Sequence, residues 1–265
     1  MDIKRFMKQD GEKPLDNIVT NGGFCAAFRT IGCIGDSLSS GELESLEFGE
    51  PGWHDYFEYS WGQFIARDAG CEVRNFSRGG MTAKEYICSF AKDKGFLNPD
   101  LRCQAYIIAL GVNDIYGVSR GELELGSVDD INTENYAENK PTFAGYYGAI
   151  ISKYKEIQPH ARFFLMTAPR QNREDNIEEL FDRHAELLYE MAKLFSNCYV
   201  LDFRKYAPVY DEEFRKNFFL NGHMNVQGYR LTALMTESYI DYLMRTYPED
   251  FRQIGFIGKL QYSSK

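Results

Sequence analysis

The run Ala105-Tyr106-Ile107-Ile108-Ala109-Leu110 is apolar throughout and of strand length, with almost no alternation of polar and apolar residues. A strand that is apolar on both faces is covered on both faces, and such strands belong to parallel sheets with helices packed on each side. Further strands are placed at 29–35, 71–76, 162–167 and 198–202. Between them lie segments of helical spacing. Trp61, Phe64, Ile65 and Ala69 follow a capping Ser60 and precede Gly70, and Phe143, Tyr146, Tyr147, Ile150, Ile151, Tyr154 and Ile157 follow Thr142. Further helices carry Ile177, Phe181, Leu188 and Met191, and then Leu231, Leu234, Met235 and Tyr239 after Asn225. This βαβα alternation predicts an α/β fold built on one parallel sheet.

No internal repeat, low-complexity segment or linker divides the chain, so its 265 residues read as a single domain overall. Residues 1–28, polar and then glycine-rich, are expected to form an N-terminal arm outside the main sheet. Residues 29–247 form the domain proper, and 248–265 a C-terminal tail without a clear role. A formal net charge of −9 and the lack of any basic run argue against nucleic acid and anionic membrane surfaces as partners. The six cysteines show no C-x-x-C or other metal-ligand spacing, so they are expected as reduced structural thiols, with no metal and no cofactor. The amino terminus has no apolar segment of export type, which favours the cytoplasm.

Chemistry gathers where strands end. The first run closes in Gly35-Asp36-Ser37-Leu38, and in an open α/β sheet the carboxyl ends of the strands are where ligands sit. A serine placed there needs a base for its hydroxyl and donors for the developing oxyanion. Gly79-Gly80 follows the second strand, Gly111-Val112-Asn113-Asp114 the third, and His223 precedes the last helix. In a parallel sheet all of them reach the edge that carries Ser37. Each piece alone has an ordinary reading as a turn, a cap or a loop histidine. A flavodoxin-like electron carrier would use the serine-rich loop as a phosphate cradle, but leaves Asn113 and His223 unexplained.

In these blocks the sequence resembles the SGNH hydrolases, also called GDSL-like lipases and acylhydrolases. The resemblance is carried by Gly35-Asp36-Ser37-Leu38, by Asn75 with Gly80, by Gly111-Val112-Asn113-Asp114 and by Gly222-His223-Met224-Asn225, and spans about residues 29 to 245. It implies a flavodoxin-like three-layer α/β/α sandwich with a five-stranded parallel sheet. It further implies Ser37 as nucleophile and His223 as general base, with the backbone N–H groups of Ser37 and Gly80 and the Asn113 amide forming the oxyanion hole.

One position departs from the family. The aspartate that orients the imidazole normally stands three residues before the histidine, and here that residue is Leu220. A main-chain carbonyl in a Ser-His dyad is the expected substitute. The alternatives are a carboxylate from elsewhere, with Asp202 at the end of the fifth strand as the candidate, or an impaired site serving as a non-catalytic binding protein. Asp211, Glu212 and Glu213 read as a solvated acidic turn. His184 shares a helical face with Phe181 and Leu188 and reads as a core histidine. His54, in a loop rich in aromatic and acidic residues, together with Arg78 and Arg170, which follow strands, are candidate substrate contacts. Residues 115–140 are expected to form a lid or pocket wall. The resulting expectation is a serine esterase acting on a small-molecule ester, with an acylated carbohydrate as the preferred class.

Overall fold

The computed structural model of the chain describes residues 2–46, 52–172 and 176–255. Strand β1 (Thr30–Gly35) enters a one-turn helix α1 (Ser37–Ser40), and a hairpin of β2 (Glu42–Ser45) and β3 (Gly52–Asp55) follows. Then come α2 (Trp61–Ala69), β4 (Glu72–Asn75), β5 (Ala105–Ala109), α3 (Val112–Ser119), α4 (Phe143–Ile157), β6 (Arg162–Met166), α5 (Ile177–Leu194) and β7 (Cys198–Leu201). A second small hairpin, β8 (Phe219–Leu220) and β9 (His223–Met224), leads into α6 (Val226–Thr246). Among the described residues no helix is long and apolar enough to cross a membrane.

The main sheet has the order β4-β1-β5-β6-β7, with every pairing parallel. This is the flavodoxin-like five-stranded arrangement that the family resemblance implies, built on the parallel sheet that the βαβα alternation predicts. The unbroken apolar run of β5 has a direct cause. Tyr106 and Ile108 enter the core shared with Phe143, Tyr147 and Leu188, whereas Ala105 and Ile107 enter the opposite core with Trp61, Tyr229 and Ile240. Alternate side chains thus feed two separate cores, and neither face can be polar.

Caps mark the helix starts where the sequence places them. Ser60, Thr142 and Asn225 each accept a hydrogen bond from a backbone N–H in the first turn of α2, α4 and α6, and Gly70 ends α2 at φ 62°. From β1 the chain winds to β4 on one side and returns to β5 on the other. The crevice at this reversal, outside the carboxyl ends of β1 and β5, is the position open to a ligand.

The first 28 residues are bound more closely than an outlying arm. The backbone N–H groups of Val19, Gly22 and Phe24 donate to Ser238, Glu237 and Asp241 on α6, and Cys25 and Phe28 are fully buried. The carboxyl-terminal stretch also packs as far as it is described. Phe251 is buried, and Gln104 donates to the Gly255 carbonyl at 2.8 Å. The remainder of the expected tail, 256–265, lies outside the described residues.

The expected lid at 115–140 is mostly not one. Tyr116 lines the central cavity, but Leu125, Val128 and Ile131 pack into the core beside α4. Asp130 pins this stretch by accepting from Lys140, Thr142 and the backbone of Ser127.

Candidate active site

Ser37 is the first residue of α1, immediately after β1, and Asp36 caps that helix by accepting from Leu38 N–H at 3.1 Å. The first N–H groups of a helix have no acceptor within it, so the Ser37 amide faces the crevice uncommitted to the helix. Burial pushes the Asp36 carboxyl up to about 6, against the Leu38 hydrogen bond that pulls it down.

The turn after β4 comes up against this residue. A Cβ on Gly79 would stand 3.9 Å from Ser37 Cβ and 2.4 Å from Glu42 Oε2, so a side chain there would displace the Glu42 carboxylate. Gly80 follows at φ 69°, in the left-handed region that glycine adopts without strain. The Asn113 amide donates to the Met81 carbonyl at 3.1 Å and lies 3.5 Å from Asp36 Oδ2, which ties the turn after β5 to the turns after β4 and β1. The three candidate oxyanion donors therefore belong to one cluster of turns.

His223 begins β9. The tight link Asn221-Gly222 between β8 and β9 places Asn221 at φ 56°, which asparagine tolerates, and Arg215 holds it by donating to the Asn221 carbonyl. His223 Nε2 lies 3.1 Å from Ser37 Oγ. Leu220, at the family's acid position, is the cross-strand partner of His223 in this small ladder.

The ring nitrogen on the other side meets a carboxylate. His223 Nδ1 lies 2.6 Å from Glu44 Oε1, which also accepts the Gly222 N–H at 3.0 Å. Glu44 is on β2, in the hairpin that follows the nucleophile. Its alternation sends Leu43 to the apolar core and both Glu42 and Glu44 to the histidine, with Glu42 Oε1 3.3 Å from His223 Nε2. Burial works to raise the Glu44 carboxyl, but hydrogen bonds from His223, the Asn221 side chain and Gly222 outweigh it and hold the group below its ordinary value. Glu44 is ionised at neutral pH, so the hydrogen bond assigns the proton on the imidazole to Nδ1 and leaves Nε2 free to accept.

This geometry corrects both expectations for the orienting group. The partner is not a main-chain carbonyl, and Asp202 does not reach the histidine. Asp202 instead accepts from Thr167 Oγ1, Tyr189 OH and the backbone N–H of Lys205, and so holds the β6 and β7 ends together. Asp211 caps the helix that begins at Glu212. By sequence the hairpin falls in a loop rich in aromatic and acidic residues. The overlooked signal was Glu42-Leu43-Glu44, a polar-apolar-polar triplet with the period of a strand, five residues beyond the serine.

The other expected substrate contacts are engaged elsewhere. His54 lies on the hairpin face opposite Glu42 and Glu44, with Nε2 2.8 Å from Ser45 Oγ and its ring stacked on Tyr56. Arg78 pairs with Glu85, and Arg170 with Asp182. None of the three lines the cavity beside Ser37, which has a volume of about 540 Å³, within the usual range of small-molecule sites. Its walls include Ser37, Asn113, Tyr116, Met166, His184 and His223.

Solved structures that share this fold include three of differing origin. The acetyl xylan esterase AlAXEase is 16% identical with a TM-score of 0.51, and the match covers 80% of this chain and 99% of that one. A family two carbohydrate esterase from Clostridium thermocellum, solved in complex with cellohexaose, is 14% identical with a TM-score of 0.53, covering 91% and 67%. A protein from Lactobacillus plantarum is 15% identical with a TM-score of 0.58, covering 81% and 97%. At these identities the likeness is one of fold. No curated protein matches the chain. Residues 33–231 match the model of the GDSL-like Lipase/Acylhydrolase family. That stretch is well over half of the sequence and holds Ser37, Gly80, Asn113 and His223, and the chain accordingly belongs to the GDSL-like lipase/acylhydrolase family and is an ester-bond hydrolase.

Proposed function

We propose that the protein hydrolyses a small carboxylic ester through an acyl-enzyme on Ser37, with His223 as the base and Glu44 as the acid that orients it. The observation that carries this reading is the chain of contacts from Ser37 Oγ to His223 Nε2 at 3.1 Å and from His223 Nδ1 to Glu44 at 2.6 Å. Ser37 Oγ gives its proton to Nε2 as it bonds to the ester carbon. The oxyanion is received by the N–H groups of Ser37 and Gly80 and by the Asn113 amide, each donor of this kind contributing about 10²–10³ in rate. As the C–O bond to the alcohol breaks, the alkoxide takes the proton from Nε2. Water then loses a proton to Nε2 while attacking the acyl carbon, and Ser37 leaves with that proton.

The negative charge of Glu44 favours the transient imidazolium, and within each half-reaction Glu42, with Oε1 3.3 Å from Nε2, stands ready to accept a hydrogen bond from the imidazolium Nε2–H. A non-catalytic role rested on the missing acid at Leu220, and Glu44 removes that ground. An acylated carbohydrate is the preferred substrate class. Two solved structures of the same fold are an acetyl xylan esterase and a family two carbohydrate esterase, and the carboxylates of Asp36 and Glu42 beside Ser37 disfavour anionic substrates. A fluorophosphonate probe is expected to label the wild-type protein at Ser37, and Ser37→Ala to lose both labelling and hydrolysis of acetyl esters. Hydrolysis retained by Ser37→Ala would overturn the assignment.

A further inference from the structure

The hairpin face that carries Glu44 also carries an aromatic side chain. Residues directly opposite each other in an antiparallel pair point to the same face, with Cβ atoms about 5 Å apart. In the β2–β3 ladder Glu44 stands opposite Trp53, and Glu42 opposite Asp55. Trp53 is thus the neighbour of the carboxylate that holds His223, yet it is 63% exposed, whereas the other tryptophan of the chain, Trp61, is 2% exposed. An indole left in water beside the catalytic histidine offers a flat apolar surface that the fold itself does not cover.

The course of the reaction decides which part of a substrate meets this side chain. His223 Nε2 returns its proton to the alkoxide, so the alcohol oxygen departs at Nε2 and the alcohol extends past the imidazole, away from the oxyanion donors. On the far side of the imidazole stands Glu44, 2.6 Å from Nδ1 and 3.0 Å from the Gly222 N–H, with Trp53 beside it. Gly222 and His223 line the cavity and Trp53 does not, so the indole meets a substrate only where it leaves the cavity. A group that covers an indole bordered by carboxylates is apolar on its face and hydroxylated at its edge. A pyranose ring is built in this way: its C–H face packs on an aromatic ring, and its hydroxyls donate to acceptors such as Glu42 and Asp55. Those two carboxylates, with the net charge of −9, disfavour an acidic peptide or an anionic lipid headgroup at the same place.

We infer that Trp53 is a specificity-determining residue that stacks on a sugar ring in the alcohol portion of the substrate, outside the cavity that holds the ester. This inference rests on the acylated-carbohydrate reading of the site. Trp53 touches none of the reacting atoms, so it binds substrate and transition state alike, and its loss is felt in KM rather than kcat. One aromatic contact of this kind corresponds to about tenfold in affinity.

The test measures kcat and KM of wild type, Trp53→Ala and Trp53→Tyr on acetylated xylotriose, on acetylated cellotriose and on ethyl acetate, whose alcohol carries no ring. The expected result is a KM about tenfold higher for Trp53→Ala on at least one triose with kcat unchanged, recovery in Trp53→Tyr, and equal kinetics of all three proteins on ethyl acetate. Hydrolysis of the trioses that is the same in wild type and Trp53→Ala would overturn the inference and leave the carbohydrate reading standing. A loss of kcat shared by ethyl acetate would also overturn it, marking Trp53 as a support for Glu44. Wild type that hydrolyses ethyl acetate but neither triose would overturn the carbohydrate reading, and the inference with it. Binding is read apart from turnover in Ser37→Ala, where the emission of a solvent-exposed indole belongs to Trp53. A blue shift on adding the triose, missing when Trp53→Phe is added to the same background, supports the contact, and an unchanged spectrum with both trioses overturns it.

Discussion

Asp114, next to Asn113, is 1% exposed and turns its carboxyl to the backbone N–H of Ala83, at 3.0 and 3.2 Å from its two oxygens. Burial raises it to about 7 against that hydrogen bond, and the charge of Asp36 adds to the rise. The sign of its linkage follows. Between about pH 4 and 7 the unfolded chain gives up a proton that the folded chain keeps, so stability is fully present below about pH 4 and falls as pH rises through 7. Asp114→Asn keeps an oxygen for Ala83 and removes the titration. Urea unfolding is expected to show a smaller loss of stability between pH 4.5 and 7.5 in Asp114→Asn than in wild type. Identical pH dependence in the two proteins would contradict the raised value.

Much of this residue-level chemistry is legible without a structure. Ser37, Gly80, Asn113 and His223 each stand at the end of a strand or before the last helix, where chain order and parallel topology alone bring them together. Glu44 was not legible in the same way. A carboxylate that orients an imidazole is recognised by distance, and nothing in chain order links position 44 to position 223. His184 was read correctly as buried, from its helical face.

Among the elements, the arm and the two small hairpins show how local pattern and tertiary contact divide the work. The five core strands and the three long helices are set by apolar period and caps, and the expected bounds fall within a few residues of those observed. The hairpin β2–β3 has only the short Glu42-Leu43-Glu44 alternation as a pattern of its own, and its apolar contribution is little beyond Leu43. It is held through the histidine, through Gly222 and through Tyr229, whose hydroxyl donates to the Glu42 carbonyl at 2.5 Å.

The arm is fastened by charge. Arg245 on α6 binds both oxygens of Glu12 at 2.6 and 2.8 Å, with the two side chains only 7% and 4% exposed, and also pairs with Asp241. The Arg245 hydrogen bonds outweigh burial and lower the Glu12 carboxyl to about 2. This contribution is present above the ordinary carboxylate range and lost as pH falls toward 2. Glu12→Gln removes one of the two carboxylates that face the guanidinium while Asp241 remains, at a cost of about 1.5–3 kcal/mol. The expected readout is a lower urea midpoint at pH 7 and faster hydrogen exchange of the Val19 and Phe24 amides. An unchanged midpoint would contradict a structural role for the pair.

Across the whole molecule, the site joins the turns after β1, β4 and β5 to the hairpin β8–β9, with Glu44 and its histidine 179 positions apart in the chain. The parallel sheet fixes the first three, and the relocated acid fixes the fourth by bridging the hairpin after the nucleophile to the hairpin that bears the base. Leu220 is then free to be a strand residue. In the proposed mechanism, Glu44 does the work the family assigns to the acid before the histidine. Steady-state kinetics of Glu44→Ala and Asp202→Asn on one acetyl ester test it most directly. Loss of the orienting acid costs up to about 10⁴ in serine hydrolases, so Glu44→Ala is expected to lower kcat on the order of 10³ with KM little changed. Asp202→Asn is expected to stay within about threefold of wild type, a change too small for an orienting acid. A Glu44→Ala protein that turns over like wild type, with the loss falling on Asp202→Asn, would contradict it.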